Sequence, residues 1–260
     1  MQFAHKVSKG SAFNQIYIPR GMEKYFEVGD LVEVRLVEKK IGLHYSKNLP
    51  KIGEFKENLI KKVFSFLTRF KEIKQVFVVG SFLTEKVDYR DIDLVLISDD
   101  IKIDNKIYDE LIEKFNVKFH ILAMPEDGFL QLRKICPLTR SMFYYCVSNK
   151  RIEHDSERKI DAKHIKFLLM MPEDILEIKT SGRIYYDSLR RVIAIERFLS
   201  EKEEDPKKIN LEVEKLVGGN LFGALKANEV IEGKALERVR EIIKKKLNKI
   251  KKEIGNGKDE

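Results

Sequence analysis

Cysteine is scarce: 260 residues carry two, Cys136 and Cys146, ten positions apart. A pair so spaced, with no Cys or His at zinc-type intervals, excludes a disulfide framework and a structural zinc site. Both read as small core residues. Tryptophan is missing, and the five histidines (His5, His44, His120, His154 and His164) are scattered without a metal motif. No apolar run reaches membrane length and no leader-type segment opens the chain, so the expectation is a cytoplasmic protein with no membrane partner. An excess of acid is also lacking. Formal net charge is +8, which favours anionic partners such as nucleotides or nucleic acid. Much of that excess sits in Lys244 to Lys252, so it is partly local.

What the chain does hold is charge and apolar patterning. Charged residues are 35% and hydrophobic residues 43%, the balance of a globular chain long enough for one to three domains. The charge is mostly Lys and Glu, a composition found in thermophiles. The most informative stretch is Gln75 to Asp100, QVFVVGSFLTEKVDYRDIDLVLISDD. A β-branched run, Val76 to Val79, stops at Gly80-Ser81, and a second apolar run begins at Asp91. Both carry strand signals. Side chains alternate along a strand, so Asp91 and Asp93 share a face, about 6.6 Å apart along the chain, while Ile92, Leu94 and Leu96 face a core.

Two carboxylates side by side repel and call for a cation. Mg²⁺ fits, because it takes hard oxygen ligands and completes its shell with phosphate oxygens. Gly80-Ser81 lets backbone approach a ligand closely and offers N–H groups to a phosphate. Facing seats for phosphate and metal suit phosphoryl or nucleotidyl transfer. The blander alternative is a loop and a buried strand whose aspartates cap its start.

Gly80-Ser81, nine intervening residues and Asp91-Ile92-Asp93-Leu94 resemble the signature of the DNA polymerase β-like nucleotidyltransferase superfamily, over roughly residues 53–152. The resemblance implies an α/β nucleotidyltransferase-like mixed sheet, Mg²⁺ or Mn²⁺ on Asp91 and Asp93, and a nucleoside triphosphate (NTP) as substrate, its tail on Gly80 and Ser81. In the superfamily a third carboxylate usually follows on the next strand. Here the run is Val117-Lys118-Phe119-His120-Ile121, so Lys118 holds that position. Three readings compete. Lys118 contacts a phosphate beside a single metal; His120, on the same face, serves as base near neutral pH; or the site binds nucleotide without efficient catalysis. The plain alternative for His120 is a hydrogen-bonded sheet histidine.

Before this region, Ser8-Lys9-Gly10, Gln15-Ile16-Tyr17-Ile18-Pro19, Val28-Gly29-Asp30 and the alternating Leu31 to Val37 read as a β unit, with Ile41 to Tyr45 as a further strand. Residues 1–46 resemble AbrB/SpoVT swapped-hairpin domains, which implies a homodimer and, in many members, DNA binding. Ser11 to Asn14 lengthen the first loop relative to that pattern, and a small β module used for packing is the alternative. Residues 47–53 read as a linker.

Apolar positions Phe55, Leu59, Val63, Phe66, Leu67 and Phe70 predict an amphipathic helix over Glu54–Ile73, followed by a second helix at Asp104–Phe115, a strand at Asn116–Leu122 and a short helix at Phe129–Ile135. Alternation of strand and helix implies a mixed sheet covered by helices. In the aromatic run Met142 to Val147, Phe143 and Tyr145 read as core, with stacking against a base as the alternative, and the run marks the end of the α/β domain, near residue 154. Residues 155–260 predict a helical bundle: Glu157–Met171, Pro172–Lys179, Arg183–Ser200, Asn210–Asn228, with a kink or break at Gly218-Gly219, and Lys234–Ile254. Lys179 and Arg183, with Tyr185 and Tyr186, are candidate cleft residues of this part. The expected activity moves a nucleoside monophosphate from an NTP to a hydroxyl of a protein, RNA or small molecule; the alternative is a catalytically degenerate nucleotide- or DNA-binding regulator.

Overall fold

A computed structural model describes residues 3–35, 40–85, 89–152 and 157–256. The chain divides into two compact units, Met1–Ile41 and Gly42–Glu260, the first ending a few residues before the boundary expected at 46.

In the smaller unit two short antiparallel strands, β1 (Ser8–Lys9) and β2 (Asn14–Gln15), pair across the Ser11–Asn14 loop, which Gly10 N–H closes onto Phe13 O at 3.0 Å. A 3₁₀ turn spans Arg20–Tyr25. Glu27 N–H donates to Asp30 Oδ2 at 2.7 Å, which closes the Gly29 turn. The strand expected after it differs: residues 31–35 have no ladder, and Leu31, Val32 and Val34 are exposed. An alternating segment becomes a strand when a second layer buries its apolar face, and among the described residues none covers these side chains. Residues 36–39 lie outside the described chain.

The larger unit is built on a five-stranded mixed sheet. Its strands are β3 (His44–Tyr45), β4 (Ile73–Val79), β5 (Asp91–Ser98), β6 (Lys118–Met124) and β7 (Val147–Ser148), in the order β3-β7-β4-β5-β6. Residues 41–45 thus contribute to this sheet through His44 and Tyr45 rather than to a hairpin in the first unit. β4 and β5 are antiparallel; β5 and β6 are parallel, joined through helix α2 (Ile103–Phe115).

Both faces of the sheet are covered. Helix α1 (Glu54–Leu67) and α2 lie on one, stitched to β6 by the edge-to-face contacts Phe66–Phe115 and Phe115–Phe119. The buried stripe of α1 is Ile60, Val63, Phe64, Phe66 and Leu67, and Phe55 is exposed. Val63, Phe66 and Leu67 are thus core as the spacing predicts, Ile60 and Phe64 complete the stripe in place of Phe55, and Lys56 stands one turn before Ile60 on its inward side. Helix α3 (Glu126–Ile135) and the short α4 (Pro137–Met142) serve the other face. There Phe77, Val79, Val95 and Ile97 pack with Phe129, Phe143, Cys146 and Ile152. Phe143 is core, as expected, and burial pushes the Cys146 thiol up to about 12, consistent with an inert packing residue.

The remaining helices are α5 (Ala162–Asp174), α6 (Gly182–Leu199), α7 (Pro206–Val217), α8 (Gly219–Lys226) and α9 (Gly233–Asn256). The helix expected at Pro172–Lys179 is not separate, since α5 runs through Pro172 and ends two residues later. The expected break falls at Gly218, whose φ of 88° ends α7. α6 is the axis of this part, with Tyr185, Leu189, Val192, Ile193 and Phe198 buried against α5, α7, α8 and α9.

No seam divides sheet from bundle. The bundle core continues into Ile135 and Cys136. Buried Glu204 accepts from Arg140 Nε at 3.2 Å and pairs with Arg158 Nη2 at 3.0 Å. Tyr145 donates its hydroxyl to Asp205, the N-cap of α7.

Candidate active site

The candidate site forms where β4 ends and β5 begins. Val79 pairs with Asp93 across the antiparallel ladder, which brings Gly80 against the Asp93 carboxylate. Gly80 has φ 79° and ψ −156°, a conformation costly for any residue with a Cβ. A Cβ there would meet Asp93 Oδ2 at 2.0 Å. The backbone conformation is what requires glycine; a Cβ would also make the Asp93 carboxylate turn away.

Ser81–Leu83 follow as a single 3₁₀ turn: Leu83 N–H donates to Gly80 O and Thr84 N–H to Ser81 O, while Thr84 Oγ1 also donates to Ser81 O at 2.7 Å. Phe82 and Leu83 are buried and anchor the turn.

Asp91 and Asp93 lie on the face of β5 that further along carries Val95 and Ile97 beneath α3. At the strand's start both carboxylates are partly exposed. Burial, then the charge of Asp91, pushes the Asp93 carboxyl above its ordinary value; His120 opposes this. The carboxylate pair is thus electrostatically unfavourable by itself, as cation-binding carboxylates are before loading.

Parallel pairing sets Lys118 opposite Asp91 and His120 opposite Asp93. Lys118 therefore does stand beside the metal candidates, on a strand about 4.8 Å away, and its side chain is exposed. His120 Nδ1 lies 3.5 Å from Asp93 Oδ1, with the ring largely in solvent. Outside β6, at the open edge of the sheet, a cleft of about 230 Å³ is lined by Asp104, Asn105, Tyr108, Phe119, His120 and Ile121.

Six of the eight expected site residues are thus gathered on three adjacent strand ends: Gly80, Ser81, Asp91, Asp93, Lys118 and His120. The other two belong to the bundle. Lys179 is exposed in the segment before α6. Arg183, in the first turn of α6, pairs with Asp187, lies over the Tyr186 ring and donates its backbone N–H to Asn228. These contacts of Arg183 are all within the bundle. Sequence reasoning missed the Asp104–Tyr108 side of the cleft, since a helix start beside an edge strand has no motif. It also missed Lys56, a charged residue one turn before Ile60, which the expected stripe left out.

Among the described residues no group of three His, Cys, Asp or Glu side chains could enclose a metal ion. The donor set present is two carboxylates. That fits one Mg²⁺ or Mn²⁺ sharing its shell with phosphate oxygens and water, and does not fit a protein-enclosed pair of ions. Among the described residues, no helix is long and apolar enough to cross a membrane. No family model, curated protein or solved structure matches this chain.

Proposed function

We propose that the chain is a metal-dependent nucleotidyltransferase that moves a nucleoside monophosphate from an NTP to a hydroxyl acceptor. One observation carries this reading: Gly80, in a conformation reserved for glycine, lies against Asp93 so closely that a Cβ would collide with the carboxylate. That closeness supports the reading, since a phosphate held at Gly80-Ser81 would then lie beside a metal held by Asp93.

In this reading Asp91 and Asp93 hold the metal and Gly80 and Ser81 hold the triphosphate tail through backbone N–H groups. The metal, when bound, supplies charge neutralisation at the reacting phosphate. In-line displacement sets the leaving pyrophosphate and the attacking hydroxyl on opposite sides. With the tail on the β4 side, the acceptor enters from β6, past His120 and the cleft at Asp104, Asn105 and Tyr108. His120, at the end of that path and paired with Asp93, accepts the hydroxyl proton. Lys118 meets phosphate charge in place of a second metal.

A second reading, a nucleotide-binding regulator with a degenerate site, is favoured by one specific observation. Lys118 stands in register with Asp91, a cation where a third carboxylate would strengthen metal binding. The apolar side chains exposed on residues 28–34 suit the homodimeric role that this reading gives to the first unit.

The test is binding of an NTP with Mg²⁺ to the full chain and to Asp91→Ala and Asp93→Ala. The account expects affinity about tenfold or more weaker in each variant, and equal weakness without metal in all three. Unaltered affinity in both variants would overturn the assignment.

A further inference from the structure

We infer that Lys56 is a positioning residue for this site: its ammonium clamps the Gly80–Thr84 turn and the Tyr89 arm in the spacing that nucleotide and metal require. The inference builds on the proposed function for its consequence, though its geometry is independent of it.

Lys56 lies in the first turn of α1, on the side that one turn later carries buried Ile60. A lysine on that side is a costly placement unless its charge is used. Its Nζ donates to Thr84 O at 2.7 Å. The same Nζ stands 5.3 Å from the centroid of the Phe82 ring and 5.8 Å from that of Tyr89. Phe82 and Tyr89 meet edge to face at 4.8 Å, so one cation joins the Gly80–Thr84 turn to the segment that leads into β5. Phe82 is one residue after Ser81; Tyr89 is two residues before Asp91. The arms that Lys56 joins therefore end in the phosphate seat and the metal seat.

The bond to Thr84 also completes the turn's accounting. Gly80 O accepts from Leu83 N–H, Ser81 O accepts from Thr84 N–H and Oγ1, and Thr84 O accepts from Lys56. Three carbonyl oxygens that would repel a phosphate are held by protein donors instead. Burial lowers the Lys56 pKa, in keeping with an ammonium partly withdrawn from water. Lys56 touches no substrate in this arrangement; it acts through the loop.

The experiment compares wild type, Lys56→Met, Lys56→Arg and the Asp91→Ala, Asp93→Ala double variant, using Mn²⁺ and ATP as probes. Two quantities are read: amide hydrogen exchange over residues 80–93, and Mn²⁺-dependent ATP affinity. Lys56→Met is expected to exchange about tenfold faster over 80–93, with exchange in α6 and α9 unchanged, and to bind ATP about tenfold more weakly. Lys56→Arg is expected to restore both to within about threefold, because it keeps the charge and a donor.

Exchange over 80–93 unchanged in a folded Lys56→Met protein would overturn the positioning role. Faster exchange throughout, α6 and α9 included, would overturn it too, marking Lys56 as a general stability contact. Faster exchange in the loop with wild-type ATP affinity would overturn the link to binding. Wild-type ATP affinity no greater than that of the double aspartate variant would overturn the proposed function, while the exchange data would still decide the clamp.

Discussion

At the scale of residues, the candidate site depends on one glycine and on the charge of two carboxylates. Gly80→Ala would force a Cβ into Asp93 Oδ2 at a φ of 79°. It is expected to lower stability by about 1–3 kcal/mol in thermal unfolding and to abolish metal-dependent nucleotide binding. Asp93 makes a prediction about pH. Its folded pKa is raised above its unfolded value by burial and by Asp91. Its contribution to stability is therefore fully present below the unfolded pKa and is lost as pH rises through the folded one. Without metal, Asp93→Asn is expected to melt above wild type near neutral pH, with the difference closing in acid; a gap that widens in acid would contradict this. Lys118→Asp supplies the carboxylate opposite Asp91, and Mn²⁺ affinity is expected to rise about tenfold or more. The two aspartates, Gly80 and Ser81 were legible in the sequence because strand alternation and glycine stereochemistry are local rules. Lys56 was not, because its role depends on which way α1 rolls against the sheet.

At the scale of elements, register does the positioning. The antiparallel β4–β5 pairing brings Gly80 to Asp93, and the parallel β5–β6 pairing brings Lys118 and His120 alongside the aspartates. The strands were legible from Val76–Val79 and Ile92–Ile97, whose apolar runs have no other stable use. The parallel sense of β6, with α2 as the crossover, comes from the structure. The stripe of α1 was legible at Val63, Phe66 and Leu67; at its start Phe55 and Ile60 both fit helical spacing, and only packing chooses between them. In the bundle, Gly182 lets the start of α6 meet the chain after α8, since a Cβ there would lie 2.4 Å from Glu229 O. Leu189, fully buried at the centre of α6, is the complementary test: Leu189→Ala is expected to cost about 2–5 kcal/mol in denaturant unfolding. A loss well under 1 kcal/mol would contradict the central role of α6.

At the scale of the molecule, the division lies at Ile41/Gly42 rather than between sheet and bundle. The sequence suggested a helical domain from residue 155 because strand signals stop there. It could not show that Ile135 and Cys136 join the bundle core, or that Glu204 reaches back to Arg140, since these contacts span distances no local pattern encodes. Residues 42–260 alone are therefore expected to unfold in one transition and to keep nucleotide binding, whereas 53–154 alone is expected not to fold, as circular dichroism would show. Transfer of the nucleotide itself decides the matter. The full chain is offered α-labelled NTPs with Mg²⁺ or Mn²⁺, in the presence of protein, RNA and small-molecule hydroxyl acceptors, beside the Asp91→Ala, Asp93→Ala variant. The account predicts label transferred to an acceptor by the wild type and lost in the variant. Metal-dependent NTP binding with no transfer from any nucleotide would contradict it and leave the degenerate regulator in its place.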